Sequence, residues 1–183
     1  VSVVGFKARN HPQQTAKRGA NPFVDDRETT PEVFADLNDR FRFTIDVAAS
    51  KENAKLERFY TAEDDGLSKD WSGERVWVNP PYSDIEPWVA KAAKETGRHD
   101  TGIPARHSRG NLWSPGAELV VMLLPANRTE QKWWQRHVET DRRAGRNRVE
   151  FLPGRMRFIP PGEDSVKPNS RPPFGCCLVI WGA

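Results

Sequence analysis

The sequence predicts an α/β sandwich with a mostly parallel sheet. Three observations lead there. Short apolar runs alternate with stretches of helical periodicity. The run Leu119 to Leu124 reads as a deeply buried strand, and the rigid tetrad Asn79-Pro80-Pro81-Tyr82 directly follows the apolar run Arg75 to Val78. In such sheets ligands bind beyond the carboxyl ends of the strands, where both Asp46 and Asn79 are expected to fall.

Residues 1–26 read as a polar, initially basic arm ending at Asp25-Asp26, and residues 27–183 as one domain. A helix should begin at Thr30-Pro31, with Thr30 as N-cap and Pro31 at the first helical position. Val33, Phe34, Leu37 and Phe41 then mark its apolar face. Phe43 to Val47 is a short buried strand running into the small residues Ala48-Ala49-Ser50. The pattern weakens from Lys51 to Trp71, with a helical turn at Glu52 to Leu56 and a loop through Asp64-Asp65-Gly66.

The strand Arg75 to Val78 delivers the tetrad. Ser83-Asp84-Ile85-Glu86 fits a capping box, followed by a helix whose inner face is Ile85, Trp88, Val89 and Ala92. The segment 97–116 has no regular pattern and carries Arg98, His99, Arg106, His107 and Arg109 against one acid, Asp100. Loops of that length are uncommon in compact domains and tend to be functional or disordered. After the strand at 119–124, Thr129 opens a helix bearing Trp133, Trp134 and Val138. Arg148 to Phe151 and Met156 to Ile159 read as strands divided by Pro153-Gly154, and Cys176 to Trp181 closes the chain as a last strand. Trp77, Trp88 and Trp133 are the expected core tryptophans.

At 183 residues the chain has room for one domain with a proper core. Its charge of +3 and isoelectric point near 9.0 favour a polyanionic partner without requiring one. Cys176 and Cys177 are neighbours on a strand and point to opposite faces, which argues against a disulfide framework. No apolar run approaches the roughly 20 residues of a membrane span, and the four His show no metal-ligand spacing. The reading is a soluble protein of a reducing cytosol that needs no metal.

The tetrad suits one chemistry well. An exocyclic amine on a nucleobase is a poor nucleophile, because its lone pair is delocalised into the ring. Methylating it requires acceptors that hold both N–H groups and draw the nitrogen toward tetrahedral geometry. The Asn79 side-chain carbonyl and the Pro80 backbone carbonyl can be those acceptors, and the two prolines stiffen the turn. Tyr82 can stack on a base taken out of the duplex, a contact worth roughly 1–3 kcal/mol. Alone, the tetrad does not separate nucleobases from other planar amides.

Asn-Pro-Pro-Tyr after a strand resembles the catalytic signature of the amino-methyltransferases. The wider sequence is similar to the phage-type DNA N6-adenine methyltransferase (Dam) family. The resemblance rests on Thr30 to Phe34, Phe43 to Ser50, Glu52 to Lys55, Asp64 to Ser68 with Trp71, Val78 to Ser83 with Pro87-Trp88-Val89, Leu123 to Ala126, Gly154 to Phe158 and Pro173-Phe174. It covers about residues 27 to 181. The resemblance implies a compact Rossmann-like methyltransferase fold, S-adenosylmethionine as methyl donor and adenine in DNA as acceptor, in a bacterial or phage-infected cell. It implies that Thr30 and Pro31 lie against the methionine end of the cofactor and that Asp46, Ala48 and Ala49 form the first-strand cofactor loop. Asp65, or its neighbour Asp64, would receive the cofactor's adenine amino group.

Two departures stand out. The cofactor loop has no glycine pair and no acidic second-strand end is evident for the ribose. Asp46 and Asn79 are only 79 − 46 = 33 residues apart, which implies a compressed fold. The candidate DNA contacts are Arg98, Arg106 and Arg109 in the basic loop, the cluster Arg142, Arg143 and Arg146, and Phe174. Other acceptors (cytosine N4, RNA, a protein glutamine amide) and a non-catalytic nucleic-acid-binding role stay open at this stage.

Overall fold

The structure is a computed structural model that describes residues 28–96, 116–160, 162–166 and 172–182. The N-terminal arm and Arg98, Arg106 and Arg109 of the basic loop lie outside the described residues. In chain order the elements are β1 (Glu28–Thr29), α1 (Pro31–Phe41), β2 (Ile45–Asp46), β3 (Arg75–Val78), α2 (Glu86–Thr96) and β4 (Leu119–Pro125). A helix over 132–143 follows, with a π-helical middle (Trp134–Glu139) and a last turn, α3 (Thr140–Arg143). Then come β5 (Asn147–Phe151), β6 (Phe158–Ile159) and β7 (Cys176–Trp181).

The main sheet has the order β2-β3-β4-β7-β5. β2 pairs with β3 and β3 with β4 in parallel, whereas β7 pairs antiparallel with both β4 and β5. The sheet is therefore mixed rather than mostly parallel by pairing, although β7 alone runs against the other four strands. The reason lies in the connection. Cys176 enters the sheet opposite Pro125, at the carboxyl end of β4, and Ala126 N–H bonds to the Gly175 carbonyl there at 2.8 Å. A chain re-entering at that end can only run backwards, because a parallel strand would need a crossover to the other end. A strand buried on both faces reads the same in either direction.

The strands β3, β4 and β7 are apolar on both faces, and their period of two divides the core. Val76, Val78, Val120, Met122, Leu124, Cys177 and Val179 pack on one side with Val89 and Ala92 of α2 and with Trp134 and Val138. Trp77, Leu119, Val121, Leu123, Cys176, Leu178 and Ile180 pack on the other with Phe34, Leu37 and Phe41 of α1. The two cysteines thus face opposite ways, and burial pushes their thiols up to about 11 and about 12. Trp77 is buried as expected, but Trp88 and Trp133 are half-buried; Trp71, Trp134 and Trp181 are the other buried tryptophans among the described residues.

Several boundaries move. α1 starts after Thr30, whose carbonyl takes the Phe34 N–H at 3.0 Å, but the Thr30 hydroxyl makes no cap bond. α2 starts at Glu86, with the Trp88 and Val89 N–H groups on the Ile85 carbonyl at 3.1 and 3.2 Å. Ser83 is therefore outside the N-cap position; Pro87 lacks an N–H and fixes the start by sitting in the first turn. The Glu52 to Leu56 segment is a turn, held by reciprocal Ser50 and Asn53 bonds of 2.7 and 3.3 Å. Thr129 lies in a turn before the helix, its carbonyl taken by the Gln135 amide at 2.6 Å. The strand expected over 43–47 narrows to β2. That over 156–159 narrows to β6, which leaves the main sheet and pairs with β1. Among the described residues no helix is long and apolar enough to cross a membrane.

Candidate active site

Asp46 ends β2 in register with Trp77, so Asn79 stands two residues further along the neighbouring parallel strand. The two strands are consecutive in the chain and adjacent in the sheet, which is how 33 residues suffice to separate the two side chains. On its outer side Asp46 bridges Phe59 in parallel, with the Tyr60 N–H on the Asp46 carbonyl at 2.8 Å. The Asp46 carboxylate is 3% exposed and accepts the backbone N–H groups of Ala48 (3.3 Å) and Lys55 (3.2 Å). Burial pushes its pKa up to about 6, against the pull of those two bonds and the Lys55 charge.

Beyond these strand ends lies a cleft of about 410 Å³. Asp46, Ala48, Ala49 and Asn53 form its floor on the β2 side, and Glu28, Thr29 and Lys55 close another wall. The Lys55 ammonium pairs with Glu28. Thr30 and Pro31 fall outside the lining; their neighbour Thr29 takes the place at the wall, 1% exposed, pinned by β1–β6 pairing opposite Phe158. Its Oγ1 is buried without a hydrogen-bond partner.

The opposite lip is the 61–66 loop. Gly66 is required there: a Cβ would sit 2.2 Å from the Val47 carbonyl oxygen. The Gly66 carbonyl accepts the buried Trp71 indole N–H at 3.0 Å. Asp65, at φ 54, is exposed and lines the cleft. Asp64 is outside the lining, because its carboxylate accepts the Thr61 N–H and hydroxyl at 2.9 and 2.8 Å, which holds it below the usual carboxylate range. Of the two acids, the structure places Asp65, the first choice from sequence, on the cleft and Asp64 off it.

The tetrad forms the remaining wall. Asn79 and Pro81 line the cleft and Pro80 is buried. Tyr82 leaves toward β4, its hydroxyl donating to the Leu123 carbonyl at 3.4 Å. Its ring meets Phe158 edge-on, 6.4 Å between centroids, and Phe174 at 6.0 Å. Asn79 thus stands between the cleft on the β2 side and an aromatic group of Tyr82, Phe158 and Phe174 on the β4 side.

The predicted basic residues distribute differently. Arg142, Arg143 and Arg146 sit where α3 turns into β5, and Asn147 of β5 pairs with Trp181, which pairs with Val120 near the start of β4. That is the amino end of the strands, opposite the cleft. Glu139 takes Arg142 and Arg143 at 2.8 and 2.9 Å, and Asp141 takes Arg146 at 2.7 Å. At the carboxyl end the sequence reading missed Arg128, in the loop after β4, whose Nε is buried without a partner. It also missed Glu28, Thr29, Lys55 and Phe158. Two-residue strands have no periodicity to reveal them; only the proximity of Thr29 to Thr30-Pro31 offered a hint.

The fold and cleft define a class: an α/β protein with a cleft beyond the carboxyl ends of its parallel strands and an Asn-Pro-Pro-Tyr turn as one wall. Comparison with known proteins narrows it. The family model described as DNA N-6-adenine-methyltransferase (Dam) matches residues 19–106. The DNA N-6-adenine-methyltransferase of Haemophilus phage HP1 is 34% identical over 70 residues, 38% of this chain and 40% of that protein. That of Escherichia phage T1 is 38% identical over 91 residues, 46% of this chain and 38% of the phage protein. The putative methyltransferase YfdM of Escherichia coli K12 is 37% identical over 89 residues, 44% of this chain and 87% of that protein. The chain belongs to the Dam family of DNA N-6-adenine-methyltransferases. Its matched part spans about two fifths of the length of the two phage relatives.

Proposed function

We propose that this chain transfers a methyl group from S-adenosylmethionine to the exocyclic amine of adenine in DNA, on a Rossmann-like methyltransferase sandwich. The observation that carries the reading is the position of Asn79 between the cleft and the aromatic group: a donor on one side and a flat acceptor on the other would meet at its carboxamide.

The cleft fits the cofactor on its own terms. Its volume is in the range of small-molecule sites, and Ala48, Ala49 and Gly66 let a ligand approach the backbone closely. The buried Thr29 hydroxyl lacks a partner that a polar ligand would provide. The Glu28–Lys55 pair beside it suits the ammonium and carboxylate of an amino-acid end. Asp46 and Asp65 offer carboxylates for the nucleoside part. When bound, S-adenosylmethionine supplies an electrophilic methyl group.

The chain's own residues do the rest. The Asn79 side-chain oxygen and the Pro80 carbonyl accept the two N–H bonds of the target amine and hold its lone pair toward the cleft. Both acceptors interact more strongly as the nitrogen gains positive charge, so they favour the transition state over the bound ground state. The Tyr82 ring, braced by Phe158 and Phe174, packs against the face of the extruded base.

The test is incubation with labelled S-adenosylmethionine and random-sequence duplex DNA, followed by nucleoside analysis. N6-methyladenine is the expected product. Label on cytosine, RNA or a protein glutamine would reassign the acceptor, and no transfer to any of them would refute the reading.

A further inference from the structure

Among the described residues, several arginines meet a carboxylate or a backbone carbonyl. Arg40 meets Glu150 at 2.6 Å, Arg58 meets Glu74 at 2.7 Å, and Arg142, Arg143 and Arg146 meet Glu139 and Asp141. The Arg75 Nε donates to the Phe41 carbonyl at 2.8 Å. Arg128 differs. Among the described residues it is the one arginine with a buried guanidinium nitrogen that has no hydrogen-bond partner. Leaving a charged donor both desolvated and unpaired is costly, and sites that tolerate it usually await a ligand.

Its place in the fold gives the ligand. Arg128 follows β4 at the carboxyl end of the sheet, two residues after Ala126, whose N–H holds the Gly175 carbonyl at 2.8 Å. Gly175 directly follows Phe174, and Phe174 packs on Tyr82. Arg128 is thus tied by backbone to the aromatic group beside Asn79. Glu130, whose carboxyl feels the Arg128 charge, is exposed and accepts the Gln131 amide N–H at 2.8 Å. Arg128 also lies beyond residues 19–106, the part that the family model matches.

We infer that Arg128 binds a backbone phosphate of the nucleic-acid strand that presents the target base, and so positions that base at Asn79. A guanidinium offers two parallel N–H bonds to a phosphate. Arg128 is a positioning residue here, with no part in the chemical step. The sequence-predicted cluster Arg142, Arg143 and Arg146 is not required for this contact, since its charge is answered and it lies at the other end of the strands.

This inference rests on the proposed DNA substrate, so its test keeps the two apart. Duplex DNA binding and steady-state methylation are measured on the full chain for wild type, Arg128→Ala and Arg128→Lys, from about 50 to 200 mM salt. Arg128→Ala should raise KM for DNA about tenfold with kcat within about twofold. The slope of log affinity against log salt should fall by about one, and S-adenosylhomocysteine affinity should stay unchanged. Arg128→Lys should restore the slope and part of the KM, since a phosphate accepts a point charge. A wild-type slope and KM in Arg128→Ala would overturn the inference while leaving the DNA reading intact. So would a loss of S-adenosylhomocysteine affinity alongside the KM effect, which marks a structural role. Altered sequence preference with an unchanged slope would also overturn it, in favour of a base contact. Wild-type protein that neither binds nor methylates DNA would refute the underlying reading itself.

Discussion

The two ends of the sheet treat their polar groups in opposite ways. At the amino end, Arg142 and Arg143 share Glu139, whose carboxyl their bonds hold down at about 2. Asp141 takes Arg146 and the buried Trp181 indole N–H, the latter at 3.0 Å. The exception there is the Asn147 Oδ1, whose own amide nitrogen already donates to the Val138 carbonyl at 2.9 Å. At the carboxyl end, the Thr29 hydroxyl and the Arg128 Nε have no partner and the Asp46 carboxylate is buried at a cost. Groups satisfied within the chain hold the scaffold; groups held unsatisfied in a packed wall are where a ligand completes the structure.

The sharpest way to break this comparison is at Asp46. Its pKa is raised from 3.8 to about 6 by burial, so the folded protein binds that proton more tightly than the unfolded chain. Unfolding free energy should therefore fall as pH rises from about 4 to about 6, by roughly 3 kcal/mol from this group. Asp46→Asn carries no charge to desolvate and should lose that component, so its stability relative to wild type should rise across the same window. Urea unfolding at closely spaced pH values measures it; parallel profiles would mean that Asp46 ionises freely. The same variant should bind S-adenosylhomocysteine at least about tenfold more weakly, a difference of about 1.4 kcal/mol.

A smaller effect is expected at Thr29. Thr29→Val removes an unpartnered buried hydroxyl at nearly constant volume. The free protein should gain about 1 kcal/mol of stability, while S-adenosylhomocysteine binds several-fold more weakly by calorimetry. A variant that is destabilised, with cofactor affinity kept, would show that the hydroxyl serves the fold. The smallest effect belongs to the other end. Arg142→Ala with Arg143→Ala should leave the salt dependence of DNA binding unchanged, because these charges are spent on Glu139 and face away from the cleft. A reduced slope would return them to the DNA surface and undo the comparison.

What the sequence made legible follows from range. The start of α1 at Thr30-Pro31, the tetrad after β3 and the buried runs β4 and β7 are local patterns, and each emerged within a residue or two. Asp46 and Asn79 could be matched because strand ends in an α/β sheet share one edge. The reversal of β7 could not be read, since a strand buried on both faces carries no mark of direction. Thr29 was missed because its wall depends on a two-residue strand pairing Glu28 with Ile159, far along the chain. Arg128 looked like any loop arginine, and only burial sets it apart. In the Arg142 cluster, density in sequence did not show that Glu139, one helical turn away, pairs with Arg142 and Arg143.

The central claim is that Asn79, at the junction of cleft and aromatic group, acts on the amine in the chemical step. Single-turnover methylation of DNA by wild type and Asn79→Ala, with mass analysis of the nucleosides, tests it most directly. Wild type should give N6-methyladenine, and Asn79→Ala a rate at least about a hundredfold lower with S-adenosylhomocysteine affinity unchanged. Methylation by Asn79→Ala at the wild-type rate would contradict it.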